Sequence, residues 1–73
     1  MAPKAQPFTD LGNRCRELRA RRKLSQTDVT KQSDFGLSHY QKIERGVLDP
    51  RFSTLKKLAE VYGVSVAELL EGL

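Results

Sequence analysis

Apolar spacing and helix-start signals together divide this 73-residue chain into five short predicted helices. Leu11, Cys15 and Leu18, with arginines filling the other faces, predict an amphipathic first helix ending near Lys23. Ser25 followed by Asp28 has the spacing of a capping box, and Leu24 can staple onto Val29, so a second helix is predicted over residues 26–32. Ser33, Asp34, Phe35 and Gly36 then supply a break around one apolar anchor. A third helix over residues 37–44 carries Tyr40 and Ile43 on its inner face, with Ser38, Gln41 and Lys42 facing elsewhere, and Gly46 stands where a helix end favours positive φ. Residues 47–50 form a loop. Phe52, Leu55, Leu58, Ala59 and Tyr62 make the apolar stripe of a fourth helix closed by Gly63, whose N-cap is not assigned. Ser65 and Glu68 repeat the capping box, with Val64 placed to staple onto Leu69, and open a fifth helix. No stretch alternates with period two, so the fold class is all-α. Residues 1–8, with Pro3 and Pro7, lack both periodicity and apolar mass and are read as a flexible tail, leaving 9–73 as one domain.

A chain of this length buries only about 60% of its unfolded surface, which leaves little room for a deep catalytic pocket. Thirteen Lys and Arg face nine Asp and Glu, for a net charge of +4, and the excess is uneven. Residues 1–23 hold seven bases against two acids, a local +5, so the rest of the chain is −1. A field of that kind favours a polyanion such as nucleic acid or an anionic membrane surface. The membrane reading has no further support, because no apolar run approaches spanning length and the opening MAPKAQPF lacks a signal h-region. A cytoplasmic location is therefore expected. Cys15 and His39 are each alone, so neither a disulfide nor a metal site is expected, and Cys15 reads as a small core residue. No nucleophile with a base, no paired catalytic carboxylates and no phosphate-cradling glycine loop is visible. An enzyme is not expected, nor a cofactor.

Two short helices joined by a tight turn, the second with polar residues on its outer face, form the geometry that places one helix in a major groove. The residues sharpen this. LSQTDV (Leu24 to Val29), HYQKIERG (His39 to Gly46), Pro50, LKKLAEVYGVS and ELL together resemble the helix-turn-helix family of the phage lambda and 434 repressors, the Xre family. The resemblance covers Leu11 to Leu70, with no gap in spacing from Leu24 onward. It implies a five-helix lambda-repressor-like DNA-binding domain in which helix three reads bases. By the same resemblance, Gln26 touches the phosphate backbone and braces the reader. Leu37, Ser38 and Lys42 fall at positions that reach base edges, with Gln41 their neighbour. Arg19 and Glu44 match a family ion pair tying helix one to the end of helix three. Thr30, Asp34 and Gly36 depart from the family's small alanine, turn glycine and Ser or Thr cap, which bears on the angle between helices two and three.

The chemistry of these positions agrees with that role. Lys42 can donate to guanine O6 or N7, Gln41 can exchange two hydrogen bonds with adenine, and Ser38 can donate or accept. Leu37 has two readings, apolar contact with a thymine methyl or packing under the turn on the stripe of Tyr40 and Ile43. Gln26, His39, Arg45 and Arg51 are candidate phosphate contacts, which set register without reading sequence. One reading helix spans few base pairs, so a homodimer on a pseudo-palindrome with half-sites about 10 base pairs apart is expected. Val66, Leu70 and Leu73 are open between core packing and that dimer interface. The expected function is thus a transcriptional regulator, a repressor or a controller protein of a restriction-modification system by length. The alternative is an antitoxin or bridging module that uses the same fold to hold a protein partner.

Overall fold

The computed structural model describes residues 8–73 and is all-helical, with no strand among them. The helices are α1 (Thr9–Arg21), α2 (Gln26–Ser33), α3 (Leu37–Arg45), α4 (Phe52–Tyr62) and α5 (Val66–Leu69). The expected tail falls mostly on residues 1–7, which lie outside the described residues. Its last member, Phe8, belongs instead to the folded domain. Its backbone N–H donates to the Gly46 carbonyl at 3.0 Å and its ring packs against the core. A proline-flanked stretch without periodicity hides such an anchor, because the contact is made to a residue far along the chain.

Local chemistry sets most boundaries. Ser25 accepts from the Asp28 N–H at 3.0 Å while the Asp28 carboxylate accepts from the Ser25 N–H at 2.9 Å. Ser65 and Glu68 make the same reciprocal pair at 3.0 and 2.9 Å. Each pair satisfies two amides that a helix start leaves without partners. α1 ends at Arg21 rather than Lys23, which turns left-handed at φ 56°. α2 closes on Asp34 at φ 66°, so an aspartate supplies the left-handed turn that the family gives to glycine. Gly46 (φ 78°) and Gly63 (φ 75°) close α3 and α4. α4 starts on Arg51 without any side-chain cap, which is why the sequence offers no start signal there.

One core holds the elements together: Leu11, Cys15 and Leu18 from α1, Val29 from α2, Tyr40 and Ile43 from α3, Leu58, Ala59, Val61 and Tyr62 from α4, and Leu69 from α5. Two residues of α4 correct the expected stripe. Phe52 is 63% exposed, and Val61, outside that stripe, is buried. Side chains lean toward a helix's N-terminus, so a first-turn ring such as Phe52 reaches past the layer that its periodicity shares. α1 packs on α3, α2 on α3 and α4, and α4 on α5. α1 and α3 come close together at Gly12, where an added Cβ would lie 2.2 Å from the Glu44 carbonyl oxygen.

Candidate nucleic-acid interface

α3 has two sharply different faces. Tyr40, Ile43 and Glu44 are buried at 0%, 1% and 2% exposure. Leu37, Ser38, His39, Lys42 and Arg45 are exposed, and Gln41 is half-buried. Ser38, Gln41, Lys42 and Arg45 follow helical spacing, so they share one outer stripe. Leu37, at the first position of α3, is 42% exposed and is not among the buried residues of the core stripe with Tyr40 and Ile43. The His39 ring leans on Phe35, with centroids 5.6 Å apart and planes tilted by 60°.

The inner face carries the feature that holds this helix in place. Arg19 Nε donates to Glu44 Oε2 at 2.6 Å and Arg19 Nη2 to Glu44 Oε1 at 3.1 Å, a two-pronged pair between α1 and the end of α3. Arg19 Nη1 also donates to the Leu24 carbonyl at 3.0 Å, tying the α1–α2 turn to the same point. Gln26 Nε2 donates to Glu44 Oε1 at 3.0 Å, and Gln41 Nε2 donates to Gln26 Oε1 at 3.3 Å. Arg16 Nη1 donates to the Glu44 backbone carbonyl at 2.8 Å, satisfying a carbonyl that the helix end leaves without a partner. Burial raises the Glu44 carboxyl, but hydrogen bonds from Arg19, Tyr40 and Gln26 and the Arg19 charge outweigh it and hold the group below the ordinary carboxylate range. The Arg19 guanidinium is shifted up in turn, chiefly by its hydrogen bond to Glu44.

Beneath the carboxylate, the Tyr40 and Tyr62 hydroxyls share a hydrogen bond of 2.7 Å in the buried interior. Among the described residues, no buried side-chain nitrogen or oxygen is left without a partner. That satisfaction matters because an unpaired buried polar group costs about 1–3 kcal/mol. Cys15 is fully buried, and burial pushes its thiol up to about 11.

The structure brings Arg19, Glu44, Gln26 and Gln41 into one connected group. It leaves Arg51 at the N-cap of α4, exposed like Arg45. Three of the α1 bases are engaged within the domain: Arg14 bonds the Glu71 carbonyl and pairs with Glu17, Arg16 bonds Glu44 and Asn13, and Arg19 bonds Glu44. The basic character of α1 therefore serves packing as well as field. Val66 packs against the core, whereas Leu70 and Leu73 are 36% and 54% exposed. They border a groove of about 330 Å3 whose other apolar lining is Phe8, Leu11, Pro50 and Leu55. Neither the close approach at Gly12 nor the Gln26–Gln41 bond is marked in the sequence. No spacing signals the latter, which depends on how α2 and α3 cross.

Comparison with known proteins agrees with this architecture. The chain belongs to the helix-turn-helix domain family, whose profile matches residues 10–71. It is 38% identical over 63 residues to the HTH-type transcriptional regulator DdrOP3 of Deinococcus deserti, covering 86% of this chain and 49% of that protein. It is also 38% identical over 58 residues to the cryptic phage CTXphi transcriptional repressor RstR of Vibrio cholerae, covering 80% of this chain and 52% of that protein. The chain thus spans about half the length of these relatives. Among solved structures, the restriction-modification controller protein C.AhdI from Aeromonas hydrophila superposes with a TM-score of 0.83 at 30% identity, covering 86% of this chain and 96% of that one. The biofilm master regulator SinR in complex with DNA superposes with a TM-score of 0.79 at 27% identity, covering 84% and 98%. The lambda-repressor-like fold and the Xre-like resemblance drawn from the sequence stand on these likenesses.

Proposed function

We propose that this chain is a sequence-specific DNA-binding transcriptional regulator, a repressor or controller protein, that binds a pseudo-palindromic operator as a homodimer with α3 in the major groove. The observation that carries this reading is the outer stripe of α3, where Ser38, Gln41 and Lys42 project from a helix pinned on its inner side by the Arg19–Glu44 pair. Lys42 and Gln41 contact base edges, Ser38 adds an adaptable contact, and Leu37 meets a thymine methyl. Gln26, His39, Arg45 and Arg51 contact phosphates and set register. Leu70 and Leu73, exposed beside the apolar groove, form the dimer contact, with Val66 supporting them from the core. The role is binding without turnover and without a cofactor, in the cytoplasm, and the DdrOP3, RstR and C.AhdI likenesses support the regulatory side of it. The same groove favours the second reading, a module that holds a protein partner as an antitoxin or bridging factor does.

Sedimentation of the protein with duplexes selected from random DNA separates the two. Two copies on one palindromic duplex are expected, with half-sites about 10 base pairs apart. A protein that enriches no site unless a second protein is added would point to the partner-dependent module instead.

A further inference from the structure

The hydrogen bonds linking α1, α2 and α3 have a direction. Glu44 lies at 2% exposure with Arg19 donating to both of its oxygens. An ionised carboxylate accepts hydrogen bonds and donates none. The Gln26 amide that faces it must therefore turn its NH2 group inward, as it does at 3.0 Å, and this sends the Gln26 carbonyl oxygen the other way. That oxygen also can only accept, so the Gln41 amide turns its own NH2 toward it, at 3.3 Å. Gln41 keeps one N–H and its carbonyl oxygen for whatever lies outside.

We propose that the Glu44 carboxylate, itself buried behind the helix, fixes the polarity of the Gln41 amide through Gln26 and thereby selects adenine over guanine at the base that Gln41 meets. In the major groove adenine offers an N6 donor and an N7 acceptor, which match the remaining carbonyl and N–H of Gln41. Guanine offers two acceptors, O6 and N7, and sets its O6 against the Gln41 carbonyl. A relay of reversed polarity would leave Gln41 with two outward N–H groups and a preference for guanine. Glu44 and Gln26 are thus positioning residues that act on specificity through Gln41. The inference rests on α3 lying in the major groove.

The test begins with site selection by Gln41→Ala, which identifies the base pair whose preference is lost. If that variant relaxes no base pair, the major-groove assignment of Gln41 fails, and the relay inference with it. Duplexes carrying adenine or guanine at that position are then titrated with wild type, Glu44→Gln and Gln26→Met, each checked for helicity by circular dichroism. Wild type is expected to favour adenine by about tenfold or more, the discrimination of one good bidentate contact. In Glu44→Gln the amide can present either end, and the preference falls to within about threefold, while discrimination at the base pair read by Lys42 is kept. Gln26→Met leaves the Arg19–Glu44 pair intact, so it tests the relay even where Glu44→Gln does not fold. It is expected to weaken binding to both duplexes and to lose the adenine preference. An undiminished adenine-to-guanine ratio in folded Gln26→Met would overturn the proposal, as would the same result in folded Glu44→Gln.

Discussion

Replacing Gly12 with alanine sets two physical effects against each other, and the structure decides between them. Gly12 lies inside α1, where helix propensity alone favours Gly12→Ala by about 1 kcal/mol. An ideal Cβ at that position, however, would lie 2.2 Å from the Glu44 carbonyl oxygen, 2.8 Å from its carbon and 2.9 Å from the Ile43 carbonyl oxygen. All three are backbone atoms of α3 and cannot rotate aside, so α1 and α3 must part by about 1 Å to restore van der Waals contact. Overpacking of this kind costs about 1–3 kcal/mol when side chains can adjust, and a backbone obstacle places this case at or above the upper end. The same displacement stretches the 2.6 Å Arg19–Glu44 bond. After the propensity gain, a net loss of about 2 kcal/mol is expected, against a total stability on the order of 4–11 kcal/mol for a domain of this size. With a urea m value near 1 kcal/mol/M, the unfolding midpoint followed by circular dichroism falls by about 2 M. A midpoint equal to or above that of wild type would show that the α1–α3 approach yields easily and would refute the reasoning.

Two further predictions concern the buried groups. Glu44→Gln removes one partner of a pair whose side chains are 2% and 20% exposed, so a loss of about 3 kcal/mol at pH 7 is expected, the lower end for a broken buried pair. Because the native Glu44 carboxyl is held below its ordinary value of 4.5, the stability it contributes is present above about that pH and is lost as pH falls through the native value. Denaturation curves for wild type and Glu44→Gln should therefore converge below about pH 4.5; a gap that stays constant into acid would contradict this. Cys15, buried with its thiol pushed up to about 11, should react with a disulfide reagent at pH 8 only as fast as the domain opens. Reaction in native buffer at the rate of a small exposed thiol would count against a closed core.

The features that could be read from the sequence are those fixed within one turn of chain. The boxes at Ser25 and Ser65 and the glycines at 46 and 63 act through hydrogen bonds and dihedrals that involve only near neighbours. Phe8, Phe52 and Val61 went the other way, because each is decided by what a distant segment covers. Leu37 shared a stripe with Tyr40 and Ile43 on paper, yet it sits in the first turn and reaches beyond the core layer. Gly12 looks like a weakness in a helix until α3 is laid across it. At the site, the resemblance pointed to Arg19 and Glu44 as a pair and to Gln26 separately. Their joining to Gln41 depends on the α2–α3 crossing, which the departures at Thr30, Asp34 and Gly36 left open and which no spacing encodes.

The central claim is that the outer face of α3 reads bases, and it is tested most directly by selecting sites from random duplex DNA with wild type and with Lys42→Ala. Selection at about 150 mM salt suppresses binding that depends on phosphates alone. Wild type is expected to select a palindromic motif, and Lys42→Ala the same motif relaxed at one position in each half-site. An unchanged motif in the variant, or no motif for wild type, would contradict the claim.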